Sequence, residues 1–471
     1  MLNMKKKSNY AVAKSDKEEL ITALDIGSSY LRLLAGYVSS DKQIRVRGYK
    51  EIKSVGYSNG EINDIGKLAG SIASIVQQFQ NEYGIEIKDV VTGVPGHVIL
   101  GENQQGNITV SSGQVTESDR NRAIENAATG LQQLNRNDFV LIHKNPQNYS
   151  TESSENIVNP IGFYAKRLDV NVHFIGCKGL YKKNIEQAIS MISSNIHTKN
   201  VIYVGNAVSA AAITENEKEI GVIQADIGGG TISFTVYDAG KQLISQGISD
   251  GGDYITNQIA REFAIPKSIA EQLKLVYGTA SPDLIPEDQK DFQIKVEVPA
   301  QFSNKTEEIT ITLAELSAVI YRCLGSMFDL LFQRIASYAR ANLNSLDIGA
   351  GVVLTGGTAK LHNIDRVLSD YISFYTQNPA NEFLHCNNKV RIGIPMGIRM
   401  SDDVQIPKEL RDERVPGVIT RPDQATVFGL LRVAKFENLE QYSNSKIRED
   451  DYDENAKGFI PTFRRWIKRE L

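Results

Sequence analysis

Asp25 and Asp226 occupy matching points in two short stretches, Leu24-Asp25-Ile26-Gly27-Ser28-Ser29 and Ala225-Asp226-Ile227-Gly228-Gly229-Gly230-Thr231. Each runs an apolar strand into a carboxylate, then into a tight turn of glycine and hydroxyl residues, then into a second strand. Such a turn lets successive backbone N–H groups form a concave nest for anionic oxygens, free of Cβ obstruction. Ser28, Ser29 and Thr231 add hydroxyl donors. Two nests facing one cleft would grip a polyphosphate from both sides and bring Asp25 and Asp226 to the same phosphates. Carboxylates beside a triphosphate repel unless a hard cation intervenes, so the pattern calls for Mg²⁺ held by Asp25 and Asp226 through its waters.

A third element, Thr355-Gly356-Gly357-Thr358-Ala359, follows an apolar run at 352–354. Glycines there would let a flat ring such as adenine approach the backbone. Glu271 and Lys274, three apart on a helical stretch, would face together toward ribose hydroxyls. Taken singly, a Gly-Gly turn is usually only a turn, and a Glu–Lys pair at this spacing is usually a surface ion pair. The order and separation of the three elements carry the reading.

These residues need strands to hold them. Leu20 to Ile26, Tyr30 to Val38 and Ile44 to Ile52 read as a three-strand meander, and Ile65 to Tyr83 has apolar residues at helical spacing. Residues 103–178 break the rhythm, with strands near 107–110, 139–143 and 168–176 and a helix begun by the capping-box pattern Thr116-Glu117-Ser118-Asp119. This reads as an inserted α+β subdomain. The opening pattern returns at Val222 to Ile227 and Thr231 to Tyr237, which implies an architectural repeat.

The bulk composition excludes several classes. The 471 residues carry a formal net charge of -4, so nothing supports a whole-surface nucleic-acid binder. Three separated cysteines form no CxxC pattern, against a disulfide framework or zinc site. The start, 1–19, reads as a disordered tail, and no run of 18 apolar residues exists.

After Phe436 the composition changes. Residues 437–457 are acidic and poor in apolar groups, as a flexible linker is. Residues 458–471 then place Phe459, Phe463, Trp466, Ile467 and Leu471 on one helical face, with Ile460 counted beside them as membrane-binding. Arg464, Arg465, Lys468 and Arg469 take the other face. Eleven helical residues reach about 16 Å, too short to cross a hydrocarbon core of about 30 Å, so the segment reads as an interfacial helix for anionic lipid. The competing reading is that it docks on the protein's own body.

The three turn motifs resemble the first phosphate, second phosphate and adenosine motifs of the actin-like ATPase superfamily. More closely, residues 20–436 and the last 14 are similar to the FtsA family of bacterial cell-division proteins, through Asn145-Pro146-Gln147-Asn148-Tyr149, Asn159-Pro160-Ile161-Gly162 and Val352-Val353-Leu354-Thr355-Gly356-Gly357. The resemblance implies an α/β, duplicated two-lobe, ribonuclease H-like fold. The first lobe would hold 20–102 and 179–213, and the second 214–250 and 350–436. A small subdomain at 251–349 would dock FtsZ, and a C-terminal amphipathic helix would follow the linker. The cofactors implied are ATP and Mg²⁺. The partners implied are the FtsZ C-terminal peptide, further copies of the chain in actin-like filaments, other division proteins and the inner face of the cytoplasmic membrane at the septum. Arg322 is the candidate contact for an acidic peptide.

In the chaperone relatives a carboxylate near the crossover places the attacking water. Here Gly205-Asn206-Ala207-Val208-Ser209-Ala210 contains no acid. A missing positioned base typically costs about 10²–10⁴ in rate, so ATP binding with weak or no turnover is expected. A related type IV pilus assembly protein is the alternative, although a shorter chain without the basic terminal helix would be expected of it. A small-molecule kinase would need a catalytic carboxylate in the crossover, and a chaperone a folded domain after the ATPase.

Overall fold

The computed structural model describes residues 19–436 apart from 137, 194, 300–305, 344, 401–409 and 411–420. The expected N-terminal tail (but for Glu19), the linker at 437–457 and the amphipathic helix at 458–471 lie outside the described residues.

Ile21–Ile26 (β1), Tyr30–Val38 (β2) and Ile44–Lys53 (β3) form an antiparallel meander. β1 is buried at every position, as a strand covered on both faces must be. A small hairpin, Tyr57–Ser58 (β4) and Glu61–Ile62 (β5), leads to helix Ile65–Tyr83 (α1). The Asp64 side chain caps α1 by accepting from the Lys67 N–H, and Gly84 ends it in the left-handed region. Leu68, Ile72, Ile75, Val76 and Phe79 form its buried stripe against the sheet. Asp89–Val94 (β6) then lies parallel to β1.

The chain next builds a separate unit from Ile99–Thr109 (β7), Glu117–Ala128 (α2), Gln133–Arg136 (α3), Phe139–Ser150 (β8) and Arg167–Lys178 (β9). Its antiparallel sheet runs β7-β9-β8 and has its own core around Val170, Val172, Phe174 and Ala123. The Thr116–Asp119 capping box is formed in both directions. β7 and β8 run longer than their apolar pattern predicts, because polar residues within them turn to the neighbouring lobe. Asn103 Nδ2 donates to Leu243 O at 2.9 Å and Asn145 Nδ2 to Gln242 Oε1 at 2.9 Å.

Gly179–Ser190 (α4), His197–Tyr203 (β10), Val204–Ala212 (α5) and Glu215–Ile220 (α6) lead into a second meander, Val222–Ile227 (β11), Ile232–Asp238 (β12) and Lys241–Ile248 (β13). Then come Gly252–Glu262 (α7), Lys267–Tyr277 (α8), a hairpin of Gln293–Pro299 (β14) and Thr306–Thr312 (β15), and the helix Leu313–Asn342 (α9). Leu346–Ile348 (β16), Val352–Thr355 (β17), Ile364–Gln377 (α10), Leu384–Cys386 (β18), Val390–Ile392 (β19), Ile398–Met400 (β20) and a helix over 425–436 (α11) complete the described chain.

One sheet runs β10-β6-β1-β2-β3-β20 and the other β13-β12-β11-β17-β19. Read from the outer meander strand, β3-β2-β1-β6-β10 and β13-β12-β11-β17-β19 have the same order and the same directions. The repeat implied by the two Asp-turn motifs is therefore a repeat of topology, and both motifs leave equivalent central strands.

Residues 350–436 do not all belong to the second lobe, as the sequence reading has them. β20 pairs with β3 of the first sheet, and Val427, Phe428, Leu430 and Leu431 of α11 pack with Ile21, Leu34 and Val38. The apolar face of α11 matches the first sheet, a match invisible to local periodicity. Arg432 secures this return, donating to Ala210 O at 2.8 Å, at the carboxyl end of α5, and to Lys42 O at 2.9 Å. Among the described residues no helix is long and apolar enough to cross a membrane.

α5 and α11 touch backbone to backbone. A Cβ at Gly429 would lie 1.8 Å from Ala207 O. Gly429→Ala is therefore expected to force the helices apart and to cost about 2 kcal/mol or more, read as a fall of several degrees in Tm by scanning fluorimetry.

Candidate functional site

The two Asp-turn motifs close in the same way. Gly27 N–H donates to Tyr30 O at 3.1 Å, and Gly228 N–H donates to Thr231 O at 2.9 Å. The two turns approach each other closely. A Cβ at Gly229 would meet Ser29 Oγ at 2.6 Å, and one at Gly230 would lie 2.3 Å from Asn59 Cα in the β4–β5 hairpin. The Ser28 hydroxyl accepts from Gly60 N–H at 3.0 Å in the same hairpin.

The third element joins them. In the β11–β17 register Asp226 lies beside Thr355, whose hydroxyl donates to Asp226 Oδ1 at 2.8 Å. Gly356 follows in the left-handed region with φ 87°, its Cα pressed on the Ile227 backbone, while Gly357 faces open space. Thr358 Oγ1 donates to Gly228 O at 3.1 Å. Glu271 and Lys274 stand on α8 as expected and pair at 2.7 Å. Lys274 is buried, not solvated: its Nζ donates to Gly252 O at 3.0 Å and to Thr256 Oγ1 at 2.8 Å, and Thr256 also bonds Glu271. Thus Asp25, Gly27, Ser28, Ser29, Asp226, Gly228, Gly229, Gly230, Thr231, Glu271, Lys274, Gly356 and Gly357 are brought into one neighbourhood from both lobes. Arg322 lies elsewhere, on the exposed side of α9, paired with Glu262 at 3.3 Å. Phe459 to Arg469 fall outside the described residues.

Burial dominates the electrostatics of the cleft. It pushes the Asp25 carboxyl up to about 6 against the opposing pull of Arg32. Burial also pushes Asp226 up to about 6, against the Thr355 hydrogen bond and with an added push from the Asp25 charge. The Asp25 and Asp226 charges act on each other, and two such carboxylates would suit a divalent cation. Among the described residues no three His, Cys, Asp or Glu side chains converge to cage a metal, so an ion here would keep much of its water, as Mg²⁺ does.

The sequence reading missed a built-in counter-charge. Arg32, opposite Asp25 in the β1–β2 pair, is buried among three carboxylates. It reaches Asp25 at 3.4 Å, Glu51 at 2.6 Å and Asp423 at 2.9 Å. Asp423 also takes Arg421 at 2.6 Å and Lys360 at 3.4 Å, and despite its burial these cations hold it far below the usual carboxylate range. The cluster ties the first lobe to the loop after Gly357. Register counting across a hairpin closed at Gly27 and Tyr30 would have found Arg32. Nothing local pointed to Asp423, 391 positions away. Asp253 was missed as well; its N–H donates to Gly229 O at 2.7 Å at the start of α7, and burial raises its carboxyl.

Because Asp226 titrates higher when folded than when unfolded, the folded state holds its proton more tightly than the unfolded chain does. Its contribution to stability is complete below about pH 4 and lost as pH rises through about 6. Asp226→Asn is thus expected to raise the Tm of ligand-free protein by a few degrees at pH 7.5, with the gain vanishing near pH 4. Paired scanning calorimetry of both proteins across that range checks it.

Comparisons with known proteins agree with this architecture. A family model described as cell division protein FtsA matches residues 223–428, and a second, described as the SHS2 domain inserted in FtsA, matches residues 96–176. The chain is 26% identical to cell division protein FtsA of Escherichia coli (strain K12) over 461 residues, 97% of this chain and 100% of that protein. It is 28% identical to FtsA of Buchnera aphidicola subsp. Schizaphis graminum (strain Sg), over 97% of this chain and 99% of that protein. Among solved structures, the PilM-PilN type IV pilus biogenesis complex aligns with a TM-score of 0.56 at 16% identity, covering 87% of this chain and 97% of that chain. That likeness speaks for the actin-like fold alone. With the duplicated sheets, the inserted unit and near full-length relatives in agreement, the chain belongs to the FtsA family of cell-division proteins, within the actin-like ATPase superfamily.

Proposed function

We propose that the protein binds Mg-ATP between its lobes, assembles into actin-like filaments and holds FtsZ filaments to the inner face of the cytoplasmic membrane at the division site. The observation that carries the reading is the convergence, from the two lobes, of two turns that each follow a strand-end aspartate, with Thr355 to Thr358 beside the second. The turns would take the phosphates, Asp25 and Asp226 the ion's waters, Gly356 and Gly357 the adenine, and Glu271 with Lys274 the ribose. Bound at about 100 times its dissociation constant, a ligand stabilises the closed form by about 2.7 kcal/mol. The nucleotide then acts first as a clamp.

The subdomain at 251–349 would receive the FtsZ C-terminal peptide, with exposed Arg322 on α9 as one contact. Residues 458–471 would lie in the membrane interface. A large buried apolar side chain there contributes up to about 3 kcal/mol, and a basic residue near anionic lipid about 1 kcal/mol. Ordering the tail subtracts from both, so one copy binds reversibly. Copies joined in a filament gain about 10²–10⁴ in avidity.

Co-sedimentation of the full chain with anionic vesicles and FtsZ tests this. Trp466→Glu is expected to leave both proteins in the supernatant, and Asp226→Ala to weaken nucleotide-dependent assembly while the isolated chain still reaches the vesicle. Undiminished recruitment by Trp466→Glu contradicts the tether.

A further inference from the structure

The crossover helix offers no base for hydrolysis, and its polar side chains are already engaged. Asn206 Oδ1 accepts from Gln242 Nε2 at 2.7 Å, and the Ser209 hydroxyl bonds that of Thr235 at 2.9 Å. A different group stands beside the second phosphate turn. Pro95-Gly96-His97 follows β6, the parallel neighbour of β1, so it emerges at the same edge of the sheet as Asp25. Gly96 N–H donates to Ser233 Oγ on β12 at 2.8 Å, fixing this turn against the other lobe.

The His97 ring lies between the β4–β5 hairpin and Thr231. A Cβ placed on Gly60 would be 2.5 Å from His97 Cε1, 3.1 Å from His97 Nδ1 and 2.5 Å from the Thr231 methyl. One ring edge therefore faces the spot shared by Gly60 and Thr231, and Gly60 in turn bonds Ser28 of the first phosphate turn. The other ring nitrogen, Nε2, lies 3.0 Å from Glu61 Oε1. An ionised carboxylate can only accept, so Nε2 carries the hydrogen and Nδ1 presents a lone pair. Nδ1 is buried and has no hydrogen-bond partner, an uncommon state for a buried polar atom. Burial, aided by Lys178, lowers the basicity of the ring more than Glu61 raises it, so His97 is neutral near pH 7; Tyr181 meets the ring edge-on at 6.2 Å. The hairpin holding Glu61 is itself pinned, since Tyr181 donates to Gly60 O at 2.8 Å and bonds Tyr57 at 2.7 Å.

Resting on the nucleotide-binding reading, we propose that His97 is the proton acceptor for hydrolysis of the bound nucleotide's terminal phosphoryl group, and that Glu61 is the residue that positions it. Water oxygen bonds to the terminal phosphorus, and the bond from that phosphorus to its bridging oxygen breaks, the electron pair leaving with the diphosphate. The water proton passes to Nδ1. The imidazolium so formed is held by Glu61, whose exposed carboxylate opens to solvent, where the proton is released.

Phosphate release from Mg-ATP and the affinity of a fluorescent ATP analogue are measured in parallel on full-length wild type, His97→Ala and Glu61→Gln. His97→Ala is expected to slow release by about 100-fold or more, to keep analogue affinity within about threefold, and to regain part of its rate with added imidazole. Glu61→Gln, at an exposed position that folding tolerates, is expected to slow release by about tenfold and to move the rising limb of the pH–rate profile. A His97→Ala rate near wild type overturns the assignment. So does an unchanged Glu61→Gln profile, should His97→Ala fail to fold. Wild type that binds the analogue but releases no phosphate also overturns it and leaves the clamp intact, whereas wild type that ignores the analogue overturns the clamp.

Discussion

Placing Asp25 and Asp226 at the ends of two central strands strips water from both carboxylates, which costs free energy. Each carboxylate is pushed toward its neutral form, and each is held there by a strand paired on both sides. Arg32 offsets the penalty in part for Asp25 but is shared with Glu51 and Asp423. Asp226 takes the Thr355 hydroxyl and a further pull from the same shared Arg32. Asp25 and Asp226 would hold a divalent ion through its waters, and its charge would offset this penalty. The site is strained electrostatically in the direction of its proposed ligand.

The lobes meet through backbone as much as through side chains. Gly230 lies against Asn59, Gly60 against Thr231, and Gly96 against Gln246 and Gly247. The buried chain from Ser209 through Thr235, Gln224 and Thr355 to Asp226 links the crossover helix to the cleft by hydrogen bonds alone.

The inserted unit is attached by another means. His173 is buried between Asn103 and Ser245, bonded at 2.8 Å to each, and burial takes its ring down to about 3, so it bridges as a neutral group. With Gln147 and Gln242 exchanging bonds at 2.7 and 2.8 Å, the junction is made of amides and one imidazole. Their geometry is specific while the apolar cores on either side remain separate.

Local sequence determined much of this molecule. The two Asp-turn motifs, the capping box at Thr116, the amphipathic stripe of α1 and the glycine turn after β17 are each set by residues within a few positions, and all are legible by spacing. Only the tertiary structure decided the remainder. Arg32 finds Asp423 across 391 positions, His97 finds Glu61 across 36, and β20 with α11 returns to the first sheet. The reason is physical: periodicity reports which face of an element is apolar, while the partner that covers the face, or neutralises a charge upon it, is chosen by the packing of the whole chain.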